Sequence, residues 1–428
     1  MIPRLAVALL FWIAVGLIQK FNWGMGEAKA LVMLALLAAT PLVVAAVEWA
    51  QRARSPAPHL TPSVSAPEGR RGQPGRALRD RPRRVRSQSD RTGCPRAAGG
   101  EVGSPSPRLL AYAAAALLVL QAGYALKELR HPSLIDAATT TLASGALLRA
   151  GTDPYAAPVD SVAAAQTGAR FAGYKYLPVT LVGYLPLGAP LGERGIVLTN
   201  LLLHLATVWL VFRLAVALAG VPEAGAIAAL LYLALPLVPF QLFAKGDTDA
   251  VAVVPMIAAL LLYERRALLA GFCLGLSLAA ELLPAALLLP CCLPATPRAR
   301  AAYALGLGLG VLPLLPFLLW SPTAFLDNIV VFNLLRAPDS TSWLMGMPAL
   351  LATLVHALAG AFYIGAAIFV WRRAPSLAVR TGLGIALILA AILAGPAAHH
   401  NYQLWWLPLA AAMLGAALAP WRSPSAAI

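Results

Sequence analysis

Between the third and fourth apolar stretches the chain reads ELRHPSLIDAATTTLASGALLRAGTDPYAAP from Glu128, and then GYKYLPV from Gly173. Nearly every side chain able to do chemistry lies here or in three later polar turns. Asp136 stands about eight residues past the end of an apolar run, between Ile135 and Ala137 and before Ala-Thr-Thr-Thr. That pattern reads as an amphipathic helix lying along a membrane interface. A carboxylate placed beside lipid and partly stripped of water can serve as a general base; it can equally be a helix cap or a solvated loop acid. Gly151-Thr152-Asp153-Pro154-Tyr155 is a turn, with Asp and Pro side by side after a glycine. Asp153 and Tyr155 then either touch a substrate or shape the loop and anchor it. Lys175, between Tyr174 and Tyr176, can snorkel like any interfacial lysine or hold a phosphate as a point charge.

Asp247 and Asp249 stand two apart just before an apolar run, after Lys245. They can contribute to a divalent cation site, although two carboxylates fall short of a full oxygen shell and a phosphate or water would have to complete it. Capping a helix is the plainer reading. Glu281 interrupts apolar sequence, and an acid within the membrane is a functional suspect by default. His399-His400-Asn401-Tyr402-Gln403 opens the last apolar run. Adjacent histidines point in different directions on a helix, which favours hydrogen bonding to a substrate or head group over metal. Arg336 and Asp339 form a further polar pair in FNLLRAPDSTSW. The cysteines, Cys94, Cys273, Cys291 and Cys292, lack metal-ligand spacing and read as small apolar fillers.

The elements that must carry these groups are membrane helices. Of 428 residues, 60% are hydrophobic and only 12% charged, against about 25% charged in soluble domains. Apolar runs of spanning grade cover 3–19, 31–49, 109–126, 195–212, 224–243, 250–263, 267–280, 282–296, 301–319, 347–371, 377–395 and 403–419. A thirteenth, 176–192, is broken by Pro178, Pro186 and Pro190 and reads as a re-entrant or half-depth segment. The expectation is an all-α polytopic membrane protein of twelve or thirteen helices with a large extracytoplasmic loop. Residues 1–50 give two N-terminal spans, 51–108 a disordered basic loop, and 109–428 the main membrane domain.

The net charge of +15 is not a nucleic-acid signature. Thirteen arginines against four acids concentrate +9 in residues 51–108, which are rich in Pro, Ser and Gly and poor in aromatics. Such a segment cannot bury enough surface to fold, and it fits a tether beside anionic membrane lipids. Arg52, Arg54 and Arg108 place both its ends in the cytoplasm by the positive-inside effect. Arg213, Arg265-Arg266, Arg298, Arg372-Arg373 and Arg422 mark further inner turns. Asp136, Asp153, Lys175, Asp247, Asp249, Arg336, His399 and His400 then all fall outside. No cleavable signal peptide is evident, and the first run reads as a retained span.

An outer loop with an early Asp, then Gly-x-Asp-Pro-Tyr, then Tyr174-Lys175-Tyr176-Leu177-Pro178 and a proline-broken segment resembles the polyprenol-phosphate-dependent glycosyltransferases of the GT-C fold. The likeness is nearest to glycosyltransferase family 87, the bacterial membrane mannosyltransferase type. Gly246-Asp247-Thr248-Asp249, Arg265-Arg266 and the glycine-rich Ala270–Gly275 extend it, over roughly residues 109–420. The resemblance implies a GT-C-like bundle. It also implies inverting transfer of a hexose, mannose in the family, from a polyprenyl-phosphate-linked donor to a lipid or glycan acceptor at the outer face of a bacterial cytoplasmic membrane. Asp136 matches the expected base. Lys175, Lys245 or Arg336 would neutralise the leaving phosphate, with Asp153, Tyr155, Tyr176, His399 and His400 lining the substrates. The cofactor open to this scheme is a divalent cation, which Asp247 and Asp249 could hold. The chain departs from the family where Glu281-Leu282-Leu283-Pro284 replaces a common Lys-x-x-P, and where Ala137-Ala138-Thr139 follows the outer aspartate in place of an early aromatic.

A transporter or lipid-linked sugar flippase is the alternative. It calls for mid-membrane charge and inverted repeats, of which Glu281 supplies the first and no clear repeat supplies the second. A non-catalytic membrane scaffold leaves the outer polar clustering without a purpose.

Overall fold

The computed structural model describes residues 107–160 and 169–419, with Ala45 and Glu48 from the N-terminal stretch. The expected span 3–19, the span 31–49 apart from those two residues, and the basic loop up to residue 106 lie outside the described residues, as does the inner marker Arg422.

Among the described residues every regular element is helical: α1 (Pro107–Arg130), α2 (Asp136–Arg149), α3 (Pro178–Leu191), α4 (Glu193–Ala219), α5 (Pro222–Leu233), α6 (Ala250–Leu262), α7 (Ala267–Ala280), α8 (Leu282–Leu288), α9 (Pro297–Val311), α10 (Pro322–Leu335), α11 (Ala349–Arg373), α12 (Leu377–Ala394) and α13 (Gln403–Leu418). Among the described residues, five helices are long and apolar enough to cross a membrane: residues 109–130, 193–219, 297–320, 349–373 and 377–394. A sixth forms if α5 and the segment Leu237–Lys245 count as one span, bent by 58°. The sequence expectation of ten spans over this region is therefore not met by length. α6, α7 and α13 are apolar but short, and the run 282–296 is helical only to Leu288, after which turns carry the chain to Pro297. Pro290 and Pro294 explain the stop, because each lacks an N–H and restricts the residue before it. The proline-broken stretch does form a helix, α3, with Pro178 at its start and Pro186 and Pro190 inside. At 14 residues it is about 21 Å long, short of a hydrocarbon core.

Apolar helices gain little from burial against one another in lipid, so small residues that let backbones approach hold such bundles together. α7 and α9 show this. A β carbon at Gly271 would run into Tyr303 O, one at Gly306 would meet Leu268 O, and one at Gly310 would lie 2.7 Å from Gly275 Cα. The buried Trp405 and Trp406 of α13 belong to the main core, which α4, α5, α6 and α12 also build. Polar clasps fasten the frame. Ser277 Oγ donates to Ala252 O (2.8 Å), joining α7 to α6, and Gln121 Nε2 donates to Leu233 O (2.5 Å), joining α1 to α5. At one end of the bundle Arg300 donates to Trp371 O (3.1 Å), and Arg380 donates to the carbonyls of Cys291 and Leu293. The polar turns named above gather at the other end.

Two π-helical stretches lead into those turns, Phe240–Lys245 and Asp327–Val331. The first closes on Gly246 (φ 71°), whose left-handed backbone favours glycine. Asp247 N then donates to Gln241 O, six residues back, at 3.0 Å.

Candidate functional site at the polar end of the bundle

Five separated segments converge at this end. The first is the start of α2. Asp136 is its first helical residue, after Ile135 with extended backbone. Its side chain is exposed, and Oδ1 accepts from Ala137 N (2.9 Å). Of the two readings of Asp136, the protein itself supplies no burial around its carboxylate. The helix itself forms where the pattern placed it, and it buries Ala137, Ala138, Thr141, Ser144 and Gly145. A negative charge in the first turn suits the positive end of a helix dipole.

The second segment is the turn Lys245–Asp249, locked onto the first. Ile135 N donates to Lys245 O (2.9 Å), and a β carbon on Gly246 would lie 2.7 Å from Leu134 Cδ2 and 3.2 Å from Ala138 Cβ. Asn200 Nδ2, from α4, donates to Asp247 O (3.0 Å) and Leu242 O (2.7 Å), while Tyr184 OH donates to Asn200 Oδ1. Asp247 is buried. Burial first, then the neighbouring charges of Asp249 and Asp136, push its carboxyl well above the usual carboxylate range, with Lys245 pulling the other way. The Lys245 ammonium rides over the Phe240 ring at 5.5 Å.

The third segment is the last run, and it reaches Asp249. Asn401 Nδ2 (2.7 Å) and Trp405 Nε1 (3.0 Å) each donate to one carboxylate oxygen of that residue. Tyr402 stacks on Trp405 with ring centroids 4.3 Å apart. The fourth is the break between α7 and α8. Glu281 caps both helices with extended backbone (φ −146°, ψ 119°), and Thr180 Oγ1 donates to the adjoining Ala280 O (2.8 Å). Tyr176 supplies the fifth. The carboxylates of Asp249, Asp136 and Glu281 all act electrostatically on its phenol, which burial above all raises well over its ordinary pKa. Asp136, Tyr176, Asp247, Asp249 and Glu281 therefore share one acidic site.

Arg336, Asp339 and His399 form its flank. Arg336 Nη2 lies 2.7 Å from Asp339 Oδ2 and 2.9 Å from His399 Nε2, and His399 Nε2 is 3.2 Å from Asp339 Oδ2. Burial would raise the Asp339 carboxyl, but hydrogen bonds from Thr341 and the charges of His399 and Arg336 hold it below the usual range. His400 turns elsewhere. It lines a cavity of about 560 Å³ with Tyr124, Phe240, Gln241 and the prolines of 236–239.

Three other expected contacts belong to loop architecture. Asp153 Oδ1 accepts from Tyr155 N (2.9 Å), and Oδ2 accepts from Ser321 Oγ. Tyr155 is 1% exposed, packs edge-on to Tyr174, Phe317 and Phe325, and donates to Tyr176 O (2.8 Å). Lys175 Nζ donates to Phe171 O, Gly173 O (2.8 Å) and Asn328 Oδ1 (2.8 Å). An ammonium has three donors, so none is left for a phosphate. Burial lowers its pKa to about 8. Nearby, Arg170 Nε donates to Asp327 Oδ2 at 2.7 Å.

For the divalent-cation reading of Asp247 and Asp249, the described residues supply no further His, Cys, Asp or Glu ligand. Among the described residues no group of three or more His, Cys, Asp or Glu side chains is disposed to hold a metal, and both oxygens of Asp249 already have donors. Asn200, Ser321, Asn328, Asn401, Tyr402 and Trp405 were not singled out from the sequence. Asn200 had a signal, as an amide within an apolar run; the others become visible only through partners far along the chain. Comparison of the chain with known protein families, with characterised proteins and with solved structures found no match.

Proposed function

We propose that the protein transfers a sugar from a polyprenyl-phosphate-linked donor to a lipid or glycan acceptor at the outer membrane surface. The observation that carries this reading is the convergence of Asp136, Tyr176, Asp247, Asp249 and Glu281 from four segments, with Lys245 and Arg336 at its edges. Carboxyls and a phenol suit sugar hydroxyls, and two cations suit a departing phosphate. In the reaction the acceptor hydroxyl attacks the anomeric carbon and gives its proton to Asp136. The bond from that carbon to the phosphate oxygen breaks as the new one forms, and the electron pair leaves on the lipid phosphate. Of the three cations named for the phosphate, Lys175, Lys245 and Arg336, Lys245 takes that role, because its charge acts on the Asp247 carboxyl. Exposure of Asp136 leaves it reachable by an incoming hydroxyl.

The test is transfer of radiolabelled sugar from polyprenyl-phosphate-mannose to membrane lipid extract, with wild type and Asp136→Asn purified side by side. Asn keeps the hydrogen bond from Ala137 N and removes the basicity. Loss of a general base slows such steps by about 10²–10⁴-fold, equivalent to about 3–5 kcal/mol of barrier. Normal transfer by the variant overturns the role of Asp136. The bent pair of α5 and Leu237–Lys245 favours the transporter reading, which gains if labelled lipid crosses proteoliposomes and no glycosidic product forms with any donor.

A further inference from the structure

Asp247 differs from its acidic neighbours in how its backbone and its carboxyl are treated. The backbone is fully engaged, through Gln241 O and Asn200 Nδ2, and Gly246 seats the turn against Leu134 and Ala138. The side chain is 2% exposed, yet Oδ2 has no hydrogen-bond partner among the described residues. Asp249, two residues on, has a donor for each oxygen. Asp136 is exposed and water can serve it. A fold rarely leaves a buried carboxyl oxygen unserved, and here several elements combine to hold that oxygen in place.

We infer that Asp247 is a carbohydrate-binding residue whose carboxyl takes a ring hydroxyl of the acceptor sugar, beside the hydroxyl that Asp136 deprotonates. This rests on the glycosyl-transfer reading above. A hydroxyl fits better than a cation for two reasons. No third His, Cys, Asp or Glu completes a metal site there among the described residues, and a buried carboxyl kept neutral offers one donor and one acceptor, the complement of a hydroxyl. Burial and the flanking acids favour that neutral form.

Asp247→Asn and Asp247→Ala both leave the backbone bonds intact. Asn retains a donor and an acceptor; Ala retains neither. The expected result is acceptor KM raised about tenfold or more in Asp247→Ala, the size of one lost substrate hydrogen bond. Its kcat and donor KM stay at wild type, and Asp247→Asn restores acceptor KM to within about threefold of wild type. A second measurement needs no turnover. Saturation-transfer NMR of methyl α-mannoside and methyl α-glucoside, on protein in a sugar-free detergent, should give ring-proton signals for wild type, Asp136→Asn and Asp247→Asn but not for Asp247→Ala. Equal signals from wild type and Asp247→Ala overturn the inference, leaving Oδ2 to water alone; so does the absence of binding by wild type. Sugar binding lost in Asp247→Ala, with no transfer from any lipid-linked donor, keeps this site and sinks the transferase reading instead.

Discussion

Asp249 joins the start of α6 to the last helix, and removing its carboxylate should unfasten them by a calculable amount. Its oxygens receive Asn401 Nδ2 at 2.7 Å and Trp405 Nε1 at 3.0 Å; Asp249 and Trp405 are buried and Asn401 is half-buried. Hydrogen bonds to a charged group contribute about 1.5–3 kcal/mol each, so Asp249→Ala should cost about 3–6 kcal/mol. Neutral interhelical bonds in membrane proteins average only about 0.6 kcal/mol, which sets the carboxylate apart. Asp249→Asn presents one acceptor oxygen and turns a new donor towards an existing one. It should cost about half as much. Adding Trp405→Phe to Asp249→Ala removes one orphaned donor, so the double variant should be more stable than the two single losses added together. Buried Cys291 and Cys292 provide the assay: a thiol-reactive dye reports their exposure during heating in detergent. If Asp249→Ala melts with wild type, or if Trp405→Phe lowers stability equally in both backgrounds, the carboxylate does not fasten α6 to α13.

Gly306→Ala should destabilise the protein by about 1–3 kcal/mol, as overpacking does, because its β carbon would meet Leu268 O and lie 2.8 Å from Phe272 N. Gly308→Ala, two residues along with nothing within 4 Å, should instead stabilise by about 0.5–1 kcal/mol; the two melting temperatures should move in opposite directions. Asp339 predicts an acid limit. Its folded pKa is depressed, so its stabilisation is present above the unfolded value of about 4 and is lost as pH falls through the folded value. Melting temperature measured against pH should drop there in wild type and drop less in Asp339→Asn.

The fold class was legible because hydropathy is a local signal: a run such as 195–212 declares itself without reference to its partners. The helix beginning at Asp136 was legible for the same reason. The extent of the run 282–296 was overestimated because composition ignores what Pro290 and Pro294 do to backbone hydrogen bonding. The site was legible as a face but not as a set of contacts. Topology placed Asp136, Asp247, Asp249 and His399 together at one end, and they are. Which carboxylate is exposed and which is buried depends on Asn200, Asn401 and Trp405, the last 156 residues from Asp249. Lys175 illustrates the remaining difficulty. Its type and its aromatic neighbours fit a phosphate ligand, and only the carbonyls folded around it show that its donors are already committed.

The π-helical stretch Phe240–Lys245 bears on how this chain can vary. Each wide turn holds about one residue more than an α-helical turn, so everything beyond it is rotated by about 100° relative to a regular helix. The face that Lys245 and Asp247 present is thus set by a count of residues rather than by their identity. A chain one residue shorter between Phe240 and Lys245 would keep every functional side chain and still aim them away from Asp136. Substitutions here act on single contacts, whereas a change of length alters the phase of the whole turn.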